Sequence, residues 1–165
     1  MFEKFGEFDS AEEINRAAAA QLAEGDTEAV LAIAEENGID KEDAEDYIDG
    51  CVDELVTPLM AAYGKMEVEA KELKPDEIME DWLQYIKVRC SEDTNMAAAV
   101  RRKGKSLKGC ITELMLWSFS NMQPVDKDIV ALAKKKNKSL PDRISLGIPG
   151  MGRAKQIITD YYMKE

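Results

Sequence analysis

The residues from Ala97 to Met122, AAAVRRKGKSLKGCITELMLWSFSNM, constrain the fold more than any other stretch of the chain. Leu107, Cys110, Ile111, Leu114, Met115, Trp117, Ser118 and Met122 recur at the three-and-four spacing that gathers side chains on one side of a helix. Ser106 stands where a hydroxyl accepts from the free amides of a first helical turn. The pattern predicts a core-spine helix after Ser106, with a cationic lip of Arg101, Arg102, Lys103, Lys105 and Lys108 at its N-terminal end. Such a spine needs other amphipathic helices to cover it.

The rest of the chain supplies them. Asp9-Ser10-Ala11-Glu12-Glu13 contains a capping box, with Ser10 as N-cap and Glu13 three residues on. It opens an alanine-rich helix that runs to about Glu24 and stops at Gly25. Asp26 caps a second helix to about Asn37, where Gly38 is the stop signal. Asp40 opens a third, with Tyr47, Ile48, Cys51, Val52, Leu55 and Val56 as its stripe. Pro58 ends or kinks that helix, and the pattern resumes from Leu59 to about Leu73. Trp82, Leu83, Tyr85, Ile86 and Cys90 mark a fourth long helix, and a short alanine-rich one carrying Val100 follows, broken at Gly104. Beyond Met122, Gln123-Pro124 reads as a loop, Asp126 caps a helix over about 127–136, and the final helix begins at Arg153. Phe2, Phe5 and Phe8 form one apolar turn or a loose arm ahead of all this. No stretch alternates with period two, so the expected fold is all-α: one irregular bundle of about seven or eight helices spanning residues 1–165.

Charge divides the chain. Residues 1–93 hold 8 Lys and Arg against 27 Asp and Glu, whereas residues 94–165 hold 14 against 6. The expected arrangement is an acidic helical part over about 10–93 and a basic one over about 94–165. An electrostatic dipole of this kind suits a basic protein partner at the acidic end better than free duplex, whose phosphates the net charge of −11 repels. Glu42, Asp43, Glu45, Asp46 and Asp49 are the candidate acidic partner-binding surface. The basic lip has two open readings: a partner- or nucleic-acid-binding patch, or charge balance against the acidic helices of the same chain.

Several chemistries are absent from the residue list. Without histidine there is no Ser-His or Cys-His nucleophile pair and no histidine-bound metal. The three cysteines, Cys51, Cys90 and Cys110, are widely spaced inside helical patterns, the profile of buried reduced thiols. Asp40 to Asp46 faintly resembles a calcium loop but has Glu45 where the loop needs glycine and Cys51 where it needs glutamate. Gly147 to Lys155 enters a helix as phosphate-binding turns do, yet it lacks Gly-Lys-Ser/Thr, so a tight turn is the favoured reading. Arg153 and Lys155 remain candidate contacts there. No cofactor, metal or enzymatic site is assigned. The acidic start, MFEKFGEFDSAEE, has no apolar core like that of a secretory signal, and no apolar run approaches the roughly 20 residues of a membrane span. A cytoplasmic location is expected.

The segment Lys105-Ser106-Leu107-Lys108-Gly109-Cys110-Ile111 resembles a motif of the PcfK-like proteins carried by bacterial mobile elements. The opening from Phe5 to Glu13 and the segment Glu36 to Ala44 also look like proteins encoded on such elements. That family includes anti-CRISPR proteins, inhibitors of type II CRISPR effector nucleases. The resemblance implies a non-enzymatic protein of a phage or mobile element, acting in the host bacterial cytoplasm on the nuclease or its guide-RNA complex. The alternative is a nucleic-acid-binding accessory of conjugative transfer that uses Arg101 to Lys108 on DNA or RNA. Self-association as a homodimer stays open in either case.

Overall fold

Helix capping divides the chain much as the punctuation residues predict. The computed structural model describes residues 4–164. Phe2 lies outside the described residues, so the expected phenylalanine turn is seen only through half-buried Phe5 and Phe8. Ser10 caps α1 (Ala11–Ala23), its hydroxyl accepting from the Glu13 amide at 3.2 Å. The Glu13 carboxylate reaches back one residue further than the capping box requires, to the Asp9 amide at 2.8 Å. Asp26 caps α2 (Thr27–Glu36), and Gly38, at φ +68°, lets the Ile39 amide fold back onto the Ala34 carbonyl. Then follow α3 (Lys41–Ile48), α4 (Pro58–Leu73), α5 (Ile78–Glu92), α6 (Thr94–Arg101) and α7 (Leu107–Ser120). After α7 come β1 (Gln123–Pro124), α8 (Lys127–Lys136), β2 (Ser145–Leu146) and α9 (Met151–Met163). The fold is all-α in class, with nine helices among the described residues and one two-residue antiparallel ribbon, β1 with β2. That ribbon stands where a loop is expected, since two residues per strand leave no alternation to read.

The buried side chains form two clusters that meet at α4. One joins Ile14 and Ala18 of α1, Val30 and Ile33 of α2, Ala44 and Tyr47 of α3, and Leu55 and Val56. The other joins α5, α6, α7 and α9 through Trp82, Ile86, Met96, Val100, Leu107, Leu114, Ile158 and Tyr162. Ala61 of α4 belongs to the first cluster, and Ala62 and Met66 to the second. The spine of the molecule is therefore α4 with α6 crossing it, rather than α7. Leu107, Cys110 and Leu114 are buried as the periodicity requires, but Met115 and Met122 are exposed and Trp117 is only half-covered. The second half of α7 runs past the last helix that could cover it.

α4 reaches the first cluster by a close backbone crossing. A Cβ added at Gly64 would overlap the Asn37 carbonyl oxygen and stand 3.1 Å from that of Gly38. Only glycine allows α4 to lie so near the C-terminal turn of α2. Replacing an ordinary helical glycine by alanine gains about 1 kcal/mol of helix propensity. Gly64→Ala should instead lose about 2 kcal/mol or more in urea denaturation, because overlap with backbone cannot be relieved by a rotamer change.

The third helix is shorter than its apolar pattern. α3 stops at Ile48, where Gly50 adopts φ +73°, and Pro58 begins α4 at its first position instead of ending α3. Residues 49–57 form a loop whose end is held by Asn15, its side-chain amide exchanging two 2.9 Å hydrogen bonds with the Val56 backbone. Leu55 and Val56 stay buried, whereas Cys51 and Val52, expected inside, are exposed. Cys90 and Cys110 are buried, and loss of hydration pushes both thiols up to about 12. A thiol reagent at pH 8 should modify Cys51 alone in the folded protein and all three cysteines in urea.

Candidate functional site

The turn between α6 and α7 holds the basic lip, and two of its five cations, Arg101 and Lys105, are engaged in holding the fold together. Arg101 ends α6 with its side chain only 1% exposed. Its Nε donates to the Phe8 carbonyl at 3.1 Å, and its terminal nitrogen donates to Asn37 Oδ1 at 2.6 Å. Asn37 is itself fully buried and donates to the Ile33 carbonyl at 2.8 Å. Burial pulls the guanidinium down to about 10, against the opposing carboxylates of Glu7, Glu69, Glu13 and Asp9. Arg101 therefore joins α6, the C-terminal turn of α2 and the lead segment. It is a core residue and no part of a surface patch.

Two residues that the sequence reading missed complete the turn. Lys65 and Glu69, both buried, sit one helical turn apart on α4. Lys65 Nζ pairs with Glu7 at 2.6 Å and donates to the Arg102 carbonyl at 2.8 Å, closing the C-terminal end of α6. Glu69 accepts from the Leu107 amide at 2.7 Å, closing the N-terminal end of α7. A cation at one helix end and an anion at the next is the sense the two dipoles favour. Burial pushes the Glu69 carboxyl up, opposed first by the Leu107 amide and then by Lys65. Their sequence signal was two charges on the inward side of the Leu59–Leu73 pattern.

The motif from Lys105 to Ile111 is explained in the same way. Lys105 Nζ donates to the carbonyls of Tyr161 and Lys164, both at 2.7 Å, and so caps the C-terminal end of α9. Ser106 caps α7, accepting from the Gly109 amide at 3.0 Å, while its own amide donates to the Tyr161 hydroxyl at 2.9 Å. A Cβ on Gly109 would overlap that hydroxyl, which accounts for the glycine. Leu107 and Cys110 are in the core. Lys108 alone faces outward with its charge, 3.5 Å from Glu72. Arg102 and Lys103 are exposed, but Lys103 lies 4.0 Å from Glu13 and its amide donates to Asp9 at 2.7 Å. Of the two readings of the lip, charge balance within the chain describes these contacts.

Arg153 and Lys155 do not join the lip. They are exposed in the first two turns of α9, whereas Lys105 caps its far end, roughly 15 Å away at 1.5 Å per residue. Arg153 donates to Gln156 at 2.8 Å, and Lys155 Nζ lies 5.1 Å from the centre of the Tyr85 ring. Gly150 is the N-cap with φ −59°, an ordinary conformation.

The acidic candidates are brought together. Glu42, Glu45, Asp46 and Asp49 are exposed along α3 and its C-terminal end, with Asp43 half-buried between them. Lys41 pairs with Glu45 at 2.7 Å. The helix splays the carboxylates that a calcium loop would converge, and no group of three metal-ligating residues gathers among the described residues. Two clefts that share Asp43 and Met60 adjoin α3. One, of about 510 Å³, is lined by Asp43, Asp46, Asp53 and Glu54 over Val52, Leu55 and Met60. The other, of about 450 Å³, has Asp40, Asp43, Glu67 and one cation, Lys71, around Ile39, Met60 and Tyr63. In the first cleft, carboxylates over an apolar floor suit the long cationic side chains of a basic surface, whose alkyl stems lie on the floor.

Comparison of the chain with protein-family models, with curated proteins and with solved structures finds no match. No described helix is long and apolar enough to cross a membrane.

The buried network sets a sharp contrast between neighbouring cations. Arg101→Ala, which leaves Asn37 and the Phe8 carbonyl without their donor, should cost about 3–5 kcal/mol in urea denaturation. Lys103→Ala, two residues on and 55% exposed, should change stability by less than about 0.5 kcal/mol.

Proposed function

We propose that this chain acts by binding, with the acidic face of α3 and its adjoining cleft as the recognition surface, and that its target is a type II CRISPR effector nuclease. The observation that carries the reading is the exposed row Glu42, Glu45, Asp46 and Asp49, set beside the cleft with an apolar floor that Asp46 lines. Such a nuclease guides its heteroduplex through a strongly basic channel. An acidic protein lodged against that channel would compete with nucleic acid for the same arginines and lysines. The choice of target comes from the resemblance of Lys105 to Ile111 and of the opening segments to PcfK-like proteins. In this reading the motif preserves the fold that presents the acidic face, and the basic lip contacts no nucleic acid.

The test is cleavage of a target DNA by a guided type II nuclease with the purified protein in molar excess. Cleavage should be suppressed, and replacing Glu42, Glu45, Asp46 and Asp49 together by lysine should raise the half-inhibitory concentration by about tenfold or more. Circular dichroism of that variant should be unchanged, since all four side chains are exposed. Undiminished cleavage across several type II effectors would sink the proposal.

A further inference from the structure

Residues 121–150 leave the body between two core helices and return to it with most of their apolar surface uncovered. α8 packs substantially on no other helix, burying Val130 while Ile129 and Leu132 remain 59% and 60% exposed. Phe119, at the end of α7, is 71% exposed, and Leu146 and Ile148 beside the ribbon are 62% and 64% exposed. Nine of the twelve large apolar side chains exposed among the described residues fall between Met115 and Met151. An ordinary surface scatters such residues singly.

This arm is nevertheless a built element. The β1–β2 ribbon is extended by the Val125 amide, which donates to the Ile144 carbonyl at 2.8 Å. Gly147 is seated against the Ser118 carbonyl so closely that a Cβ would overlap it, and Pro149 is buried. Lys134 pairs with Asp142. The arm thus holds its exposed apolar side chains on an ordered scaffold.

Area and charge together point to the occupant. The chain exposes 10160 Å², about 2,000 Å² more than the roughly 8,200 Å² of a compact monomer of 18.5 kDa. A standard interface covers about 800 Å² on each partner, so the surplus is ample for one. On the side of α8 that carries Ile129 and Leu132, exposed Asp126 and Asp128 lie toward the N-terminal end and exposed Lys135 and Lys136 toward the C-terminal end, whereas Lys127 falls on the opposite side of the helix. A partner of uniform charge, such as nucleic acid or a basic protein, would be repelled by one end of this face. A second copy turned by a two-fold axis meets it correctly: each acidic end lies beside the other copy's lysines, and the helix dipoles run antiparallel.

We infer that the arm is a self-association surface, with α8 packed antiparallel on α8 of a second copy and Ile129 and Leu132 at the centre. Sedimentation equilibrium between about 1 and 100 μM, the range in which a standard interface forms, should give a mass twice 18.5 kDa. Ile129→Glu combined with Leu132→Glu should raise the dissociation constant about a hundredfold or more, with unchanged circular dichroism because both side chains are on the surface. Asp128→Lys should weaken the dimer, and adding Lys135→Asp to it should restore association, since the pair is mutually opposite about the middle of the helix. A monomeric wild-type protein at 100 μM would overturn the inference. So would a double glutamate variant that dimerises as before, or a charge swap without recovery.

Discussion

Two charged side chains on one helix hold the C-terminal half of this molecule in register. α4 places Lys65 under the last carbonyls of α6 and Glu69 under the first amides of α7, so the sharp turn between those helices is neutralised from below. Buried charges are costly unless every one is answered, and here Glu7, Arg101 and Asn37 supply the answers. Arg101 then carries the same network across to α2 and the lead segment. The two apolar clusters thus share a helix, a glycine crossing and a set of hydrogen bonds.

That arrangement changes how the charge of the chain is to be read. Some cations of residues 94–165 lie beside carboxylates from residues 1–93: Lys103 is 4.0 Å from Glu13 of α1, and Lys108 is 3.5 Å from Glu72. The split in sign along the sequence is therefore partly folded away. Among the charges that remain outward are the carboxylate row of α3 and the lysine-ended α8, on parts of the molecule that do not pack substantially on each other.

The helices and their ends were legible because each is punctuated by residues with one dominant local habit. Ser10, Asp26, Ser106 and Asp126 cap as expected, and α8 spans the residues its charge pattern marks. Tertiary partners were not legible. The spacing that buries Leu107 and Leu114 is continued by Met115 and Met122, and nothing in a periodicity says where the covering helix stops. Cys51 and Val52 continued the pattern of α3, but Gly50 turned the chain first. Arg101 and Lys105 are drawn out of the basic lip for a related reason: charge density in sequence carries no information on direction. Arg101 points inward because Asn37 and the Phe8 carbonyl, far away in sequence, stand ready to accept from it. The acidic row kept its expected position because successive carboxylates on a short helix have little choice but solvent.

The exposure of Cys51 has a practical consequence. It follows Asp49 and Gly50 at the end of the carboxylate row, beside the cleft that Asp46, Val52 and Asp53 line. The other two thiols are sealed in the core. Nature has therefore left a single chemical handle on the rim of the acidic face. A small environment-sensitive dye attached there would turn the unmutated protein into its own optical reporter of whatever settles on that rim.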